Sequence, residues 1–191
     1  MKKTEMLLAG LILLGFIFKL MHWPYNAEII ALGAVFLSLL YLGFGFALFN
    51  NIRLRNILKP ESYKGISKLR INGAIATGFV FSTLIIYCLF KLMFWPYGHI
   101  GLEISLKLFA FLVAIILVLY FVKNRNIFLK LNYIRFLFLG IIATTLYFTT
   151  NDQLVDLYYG SDPHYAEAYK AYINDSSMDA KRPIREFKSR D

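Results

Sequence analysis

The chain has 191 residues, of which 58% are hydrophobic and 17% aromatic, and it carries a formal net charge of +9 with a mean hydropathy of +0.55. Soluble globular domains hold about 45–50% apolar residues, so this composition excludes that class and points to an all-α, polytopic membrane protein. The one cysteine, Cys88, lies in an apolar run and excludes an internal disulfide and a CxxC metal or redox site.

In chain order, Lys2 and Lys3 precede the apolar run from Met6 to Met21. A secretory signal would need a small-residue cleavage site after such a run. This one leads instead into Lys19, Met21, His22 and Trp23, so a first membrane span is expected. Four more apolar stretches follow, Ala27 to Asn50, Ile71 to Met93, Ile100 to Val122 and Tyr133 to Thr150. Each approaches or exceeds the length needed to cross about 30 Å of hydrocarbon as helix, and in lipid only a helix satisfies its own backbone polar groups. Five spans are therefore predicted. They divide the chain into a first hairpin (1–50), a basic loop (51–70), a second hairpin (71–123), a basic loop with the fifth span (124–150) and a polar tail (151–191).

The positive charge is localised. The first loop carries Arg53, Arg55, Lys59, Lys64, Lys68 and Arg70 against Glu61, and the second carries Lys123, Arg125, Lys130 and Arg135 with no acid. A nucleic-acid footprint is one reading of basic stretches, but beside membrane spans they orient the chain and meet anionic lipid. Both loops and the N-terminus are expected on the cytoplasmic side, and the tail on the other.

Between the spans one phrase is written twice. Phe18 to Tyr25 reads FKLMHWPY and Phe90 to Tyr97 reads FKLMFWPY, each after one apolar run and before another, so the repeat is parallel. Inverted repeats, a frequent mark of secondary transporters, are absent from this pattern. Pro24 and Pro96 bias Trp23 and Trp95 away from helical geometry and fit the first turn of the next helix. With Tyr25 and Tyr97 the indoles suit the headgroup level. Lys19 and Lys91 lie close enough to that boundary to snorkel outward. A sharper alternative pairs them across the turn with Glu28 and Glu103. Lys107, four residues after Glu103, would extend the second set into an intramembrane Lys91, Glu103 and Lys107 cluster, serving either packing register or an ion path. His22, replaced by Phe94 in the second copy, is an interfacial histidine with a proton-handling alternative. Small residues such as Gly15, Gly33, Gly45, Ala74 and Gly78 allow close helix contact.

In the tail, Asp162 followed by Pro163 reads as a cap and first helical position, predicting a short helix to Tyr172. Tyr165, Tyr169 and Tyr172 form one aromatic face on it, which either packs on the membrane surface or the chain's own turns, or docks a partner. After Asn174 the residues are mostly charged and polar, and disorder is expected. No phosphate loop, HExxH or GxSxG occurs, and His22, His99 and His164 are scattered. Hence no catalytic, cofactor-binding or metal-ligating residue is assigned, and an enzyme is not expected.

The run LLGFIFKLMHWPYNAEIIALG resembles the first transmembrane hairpin of the GldL family, inner-membrane components of the Bacteroidetes gliding-motility and type IX secretion motor. The matching residues are Gly15, Phe18, Lys19, Met21, His22, Trp23, Pro24, Ala27 and Gly33, and the second copy keeps the phrase without the histidine. The resemblance implies a bacterial inner membrane. The family's acid in the middle of its second helix has no counterpart around Leu37 or Phe109, so only the hairpin and its location transfer. The expected function is a structural or accessory subunit of an envelope assembly, partnered by the bilayer and an envelope protein or a second copy. The alternative is a small ion- or proton-conducting protein using Lys19, Glu28, Lys91, Glu103 and Lys107.

Overall fold

The computed structural model describes residues 1–123 and 130–174, and all regular elements among them are helical. In order these are α1 (Lys2–Leu20), α2 (Asn26–Phe49), two short 3-10 turns (Leu54–Asn56 and Pro60–Tyr63), α3 (Lys68–Leu92), α4 (Gly98–Lys123), α5 (Lys130–Phe148), α6 (Asn151–Tyr159) and α7 (Pro163–Asn174). The middle of the second basic loop and the charged end after Asn174, where disorder is expected, lie outside the described residues.

Three helices, α2, α3 and α4, are long and apolar enough to cross a membrane. A fourth candidate is α5 joined to α6, a pair bent by 98° at the break between them. Of the five predicted spans, the first is the weakest by this measure, because α1 holds Lys2, Lys3, Glu5 and Lys19 within its nineteen residues.

The packing centres on α2 and α3. Ile30, Ala34, Leu37, Tyr41, Leu48 and Phe49 of α2 meet Ala74, Phe81, Ile85 and Leu89 of α3 in the main buried cluster. The close approach is made by Gly45 and Gly78: a Cβ built on Gly45 would lie 2.8 Å from the Gly78 Cα. Near the middle of the same interface Ser38 and Ser82 join hydroxyls at 2.7 Å, so neither polar group is stranded among apolar side chains. Helix α1 packs on α2, α4 on α3, and α5 on α3 and α4.

Local chemistry starts and stops these helices. Ser67 accepts from the Arg70 backbone N–H at the start of α3, and Thr150 with Gln153 forms a reciprocal capping box at the start of α6. At the end of α2, Asn51 takes a left-handed φ of 59°, while Asn51 N–H donates to Leu48 O and Ile52 N–H to Ala47 O. That is the Schellman closure, with Asn in the position usually held by Gly.

Candidate functional site

The two phrases fold into the same turn, and the spacing of their residues says why. In the first, Trp23 N–H donates to Phe18 O at 2.9 Å and His22 N–H to Lys19 O at 3.3 Å; in the second, Trp95 N–H donates to Phe90 O at 2.9 Å and Phe94 N–H to Lys91 O at 3.2 Å. These are the paired bonds of a Schellman motif, and its customary apolar contact is the Phe–Trp ring pair, 4.8 Å apart in one turn and 5.0 Å in the other. The left-handed residues are His22 at φ 57° and Phe94 at φ 54°, where a side chain carries a penalty that glycine avoids.

Pro24 and Pro96 sit in the turn itself, two residues ahead of the next helix, and not in its first turn as the sequence suggests. Each is followed by a second left-handed aromatic residue, Tyr25 or Tyr97. Proline then a positive-φ residue is the type II turn pattern. It is closed in the first copy by the Asn26 side chain donating to Trp23 O at 2.6 Å and in the second by Gly98 N–H donating to Trp95 O at 3.2 Å. Trp23 and Trp95 are 47% and 45% exposed, and Tyr25 and Tyr97 more so, an arrangement suited to the headgroup level.

Lys19 and Lys91 turn inward at this end. Lys19 Nζ donates to Leu92 O at 2.9 Å, the last carbonyl of α3, and stands 4.2 Å from the centre of the Tyr158 ring. The first phrase thus satisfies an orphan carbonyl of the second. Lys91, 4% exposed, donates to Asn151 Oδ1 at 2.9 Å at the start of α6. Glu28 lies exposed on α2. Of the five Lys and Glu residues singled out in the sequence, Glu103 and Lys107 are joined, at 2.6 Å, with side chains 37% and 73% exposed on α4.

Helices α6 and α7 lie over both turns. His22 meets Tyr159 at 5.9 Å, and Phe94 meets Tyr158 at 6.0 Å and Tyr169 at 5.7 Å. Tyr159 also contacts Tyr165 and Tyr169, and Tyr172 packs on Tyr169, so the aromatic face of α7 is directed at the chain's own turns. Lys170 and Asp156 tie α7 to α6 at 2.5 Å. Burial, with the neighbouring Tyr159, Tyr165 and Tyr172 hydroxyls, pushes the Tyr169 phenol up to about 12.

A second polar cluster, at the opposite end, was not singled out in the sequence. Arg135 of α5 grips Glu5 of α1 through both carboxylate oxygens, each at 2.5 Å, and both side chains are 12% exposed. Tyr41 OH donates to the same carboxylate at 2.6 Å. Arg135 also donates to Asn132 Oδ1 at 2.9 Å, and Asn132, 1% exposed, donates to Phe49 O at 3.1 Å, the last carbonyl of α2. Glu5 directly precedes the first apolar run and Arg135 opens the fifth, so opposite charges at matching depth in separate spans were the available signal.

Among the described residues no group of His, Cys, Asp and Glu side chains is arranged to hold a metal ion. Comparison with family models, with curated proteins and with solved structures finds no match for this chain.

Proposed function

We propose that the chain is a non-enzymatic integral membrane protein of the bacterial inner membrane that serves as a structural or accessory subunit of an envelope assembly. Its phrase-bearing helix pairs form a duplicated, GldL-related hairpin, its five spans include α1, and its N-terminus is cytoplasmic and its C-terminus periplasmic. The spacing of the phrase and the loop charges support these assignments.

The observation that carries the partner role is the Glu103–Lys107 pair. The two residues lie five and nine positions into α4, about 7.5 and 13.5 Å along the helix at 1.5 Å per residue, and therefore deeper than the aromatic turn. They stand on the side of α4 that the chain leaves uncovered, in line with Ile104, Phe111 and Val118, each more than half exposed. Charges at such depth face a bundle interior or water, because lipid solvates them poorly. A partner helix laid on this face supplies that interior. Lys19, Lys91, Glu5 and Arg135 are by contrast occupied within the chain, the lysines at the turn end and Glu5 and Arg135 with each other, while Glu28 lies exposed in the first turn of α2, close to the interface.

The alternative, ion or proton conduction, is favoured by the same exposed pair if water reaches it. Mass spectrometry of the protein gently extracted from its native membrane separates the two when combined with Glu103→Gln and Lys107→Met. The accessory reading expects a reproducible heterocomplex that both substitutions weaken, with unchanged flux in proteoliposomes. A partner-free protein whose flux falls in both variants replaces it with conduction.

A further inference from the structure

Beside the start of α1 the chain leaves a cleft of about 240 Å³, lined by Lys2 and Lys3 from α1, Leu48 from the end of α2, and Asn51, Ile52 and Arg53 beyond it. The Schellman closure at Asn51 brings it about, since it reverses the chain and returns Arg53 alongside the first turn of α1. The floor is apolar, with Leu48 2% and Ile52 8% exposed, while Lys2, Lys3 and Arg53 are exposed at the rim. No acid lines it. The nearest acid in sequence, Glu5, is committed to Arg135 and Tyr41 and does not neutralise the rim.

From this geometry we infer that the cleft binds the phosphate head group of an anionic membrane lipid. Its position is at the end of the bundle that carries the first basic loop, where headgroups of one leaflet lie. Its volume is below the roughly 300–1,000 Å³ of drug-sized pockets, so it admits a head group and leaves the acyl chains to run down the outside of the helices. The guanidinium of Arg53 offers a fork that matches two phosphate oxygens, and the lysines add point charges. The apolar floor suits the glycerol backbone better than a free, fully hydrated phosphate ion. A cation near an anionic membrane surface is worth about 1 kcal/mol, or roughly fivefold in binding. The inference rests on the membrane location and is independent of the accessory-subunit reading.

The test uses the full chain in neutral detergent and titrates three probes by native mass spectrometry: phosphatidylglycerol, zwitterionic phosphatidylcholine, and soluble glycerol phosphate. One phosphatidylglycerol is expected to bind at least tenfold more tightly than either other probe. Arg53→Gln and Lys3→Gln should each weaken it about fivefold, Arg53→Lys less, and Lys59→Gln, which removes a charge from the same face outside the cleft, by under twofold. Arg53 and Lys3 are exposed, and an unchanged melting temperature of each variant verifies the fold. Equal losses in Lys59→Gln and Arg53→Gln would mean a diffuse basic surface and overturn the site. Equal binding of the two lipids, or glycerol phosphate bound as tightly as the anionic lipid, would overturn the assignment of the ligand.

Discussion

The first and second phrase-bearing helix pairs share a turn but solve the contact beneath it in opposite ways. In the layer of α1 and α2 next to the turn the small residue is on the first helix, where a Cβ on Gly15 would meet Ile29 and Ile30 at 2.8–3.0 Å, and in the layer beyond it Gly33 of α2 meets Ile12. In the layer of α3 and α4 next to the turn the small residue is on the second helix, where Gly101 lies against the Tyr87 ring. Position 87 is 72 after 15 and 101 is 72 after 29, the same interval that separates the phrases. The large and small partners have changed sides. A turn stored in a short phrase is independent of how the helices below it pack, and the two pairs show which features belong to which. The Phe–Trp clasp, the left-handed residues and the lysine recur; the closing group (Asn26 or Gly98), the covering residue (His22 or Phe94) and the lysine's partner do not.

The largest expected effect lies at the other end of the bundle, where no repeated phrase operates. Arg135→Leu leaves the part-buried Glu5 carboxylate without its counter-charge and with Tyr41 as its hydrogen-bond donor, a loss of about 3 kcal/mol, read as a lower melting temperature in detergent. The double change Glu5→Gln with Arg135→Met should recover part of it. If Arg135→Leu proves neutral, the turns and not the ionic cluster hold the pairs together. Next come the lysines: Lys91→Met removes a buried, charged hydrogen bond worth about 1.5–3 kcal/mol, and should release α6 to protease more readily than Lys19→Met, whose side chain is only partly buried. Equal susceptibility would erase the distinction between the two copies.

Exchanging the packing sharpens the comparison further. Gly101→Ile alone overfills the contact with Tyr87, at about 1–3 kcal/mol, and adding Tyr87→Gly should relieve much of that by restoring the arrangement of the first pair. At the left-handed position, His22→Gly should stabilise the turn by up to about 1 kcal/mol, whereas Phe94→Gly should show a net loss because Phe94 also packs on Tyr158 and Tyr169. The smallest effect is one of pH. Because the Tyr169 phenol ionises near 12 when docked and near 10 when free, docking of α7 is unaffected below about pH 10 and weakens from there towards 12. Tyr169→Phe should lessen that dependence, read as protease release of α7 against pH, with the Tyr159 and Tyr165 phenols, also raised by burial, carrying the remainder.

Much of the helical plan was legible because apolar length and turn chemistry are local. Phe and Trp five residues apart, a lysine between them and a following proline encode a helix end within eight residues, and Asp162 with Pro163 starts α7 as predicted by cap chemistry, Asp162 accepting from Tyr165 N–H at 3.0 Å. Partners distant in sequence were not legible. Lys19 looks as though it should seek Glu28 or the headgroups, yet it finds a carbonyl 73 residues later, and Glu5 meets Arg135 across 130 residues. Helix α6 escaped because the polar composition after Thr150 reads as the start of the tail, although the Thr150 and Gln153 box was there to mark a new start.

The long reach of those two side chains also sets an order of events for a chain made from its N-terminus. Glu5 and Lys19 leave the ribosome well ahead of the groups that satisfy them, so the earliest segments arrive at the bilayer with an acid and a cation still waiting. Leu92 relieves the lysine, and the carboxylate, which Tyr41 can reach early, gains its counter-charge last, when α5 is delivered. Truncation before Arg135 would therefore strand a negative charge that the completed bundle hides, giving the cell's quality control a simple mark of an unfinished molecule.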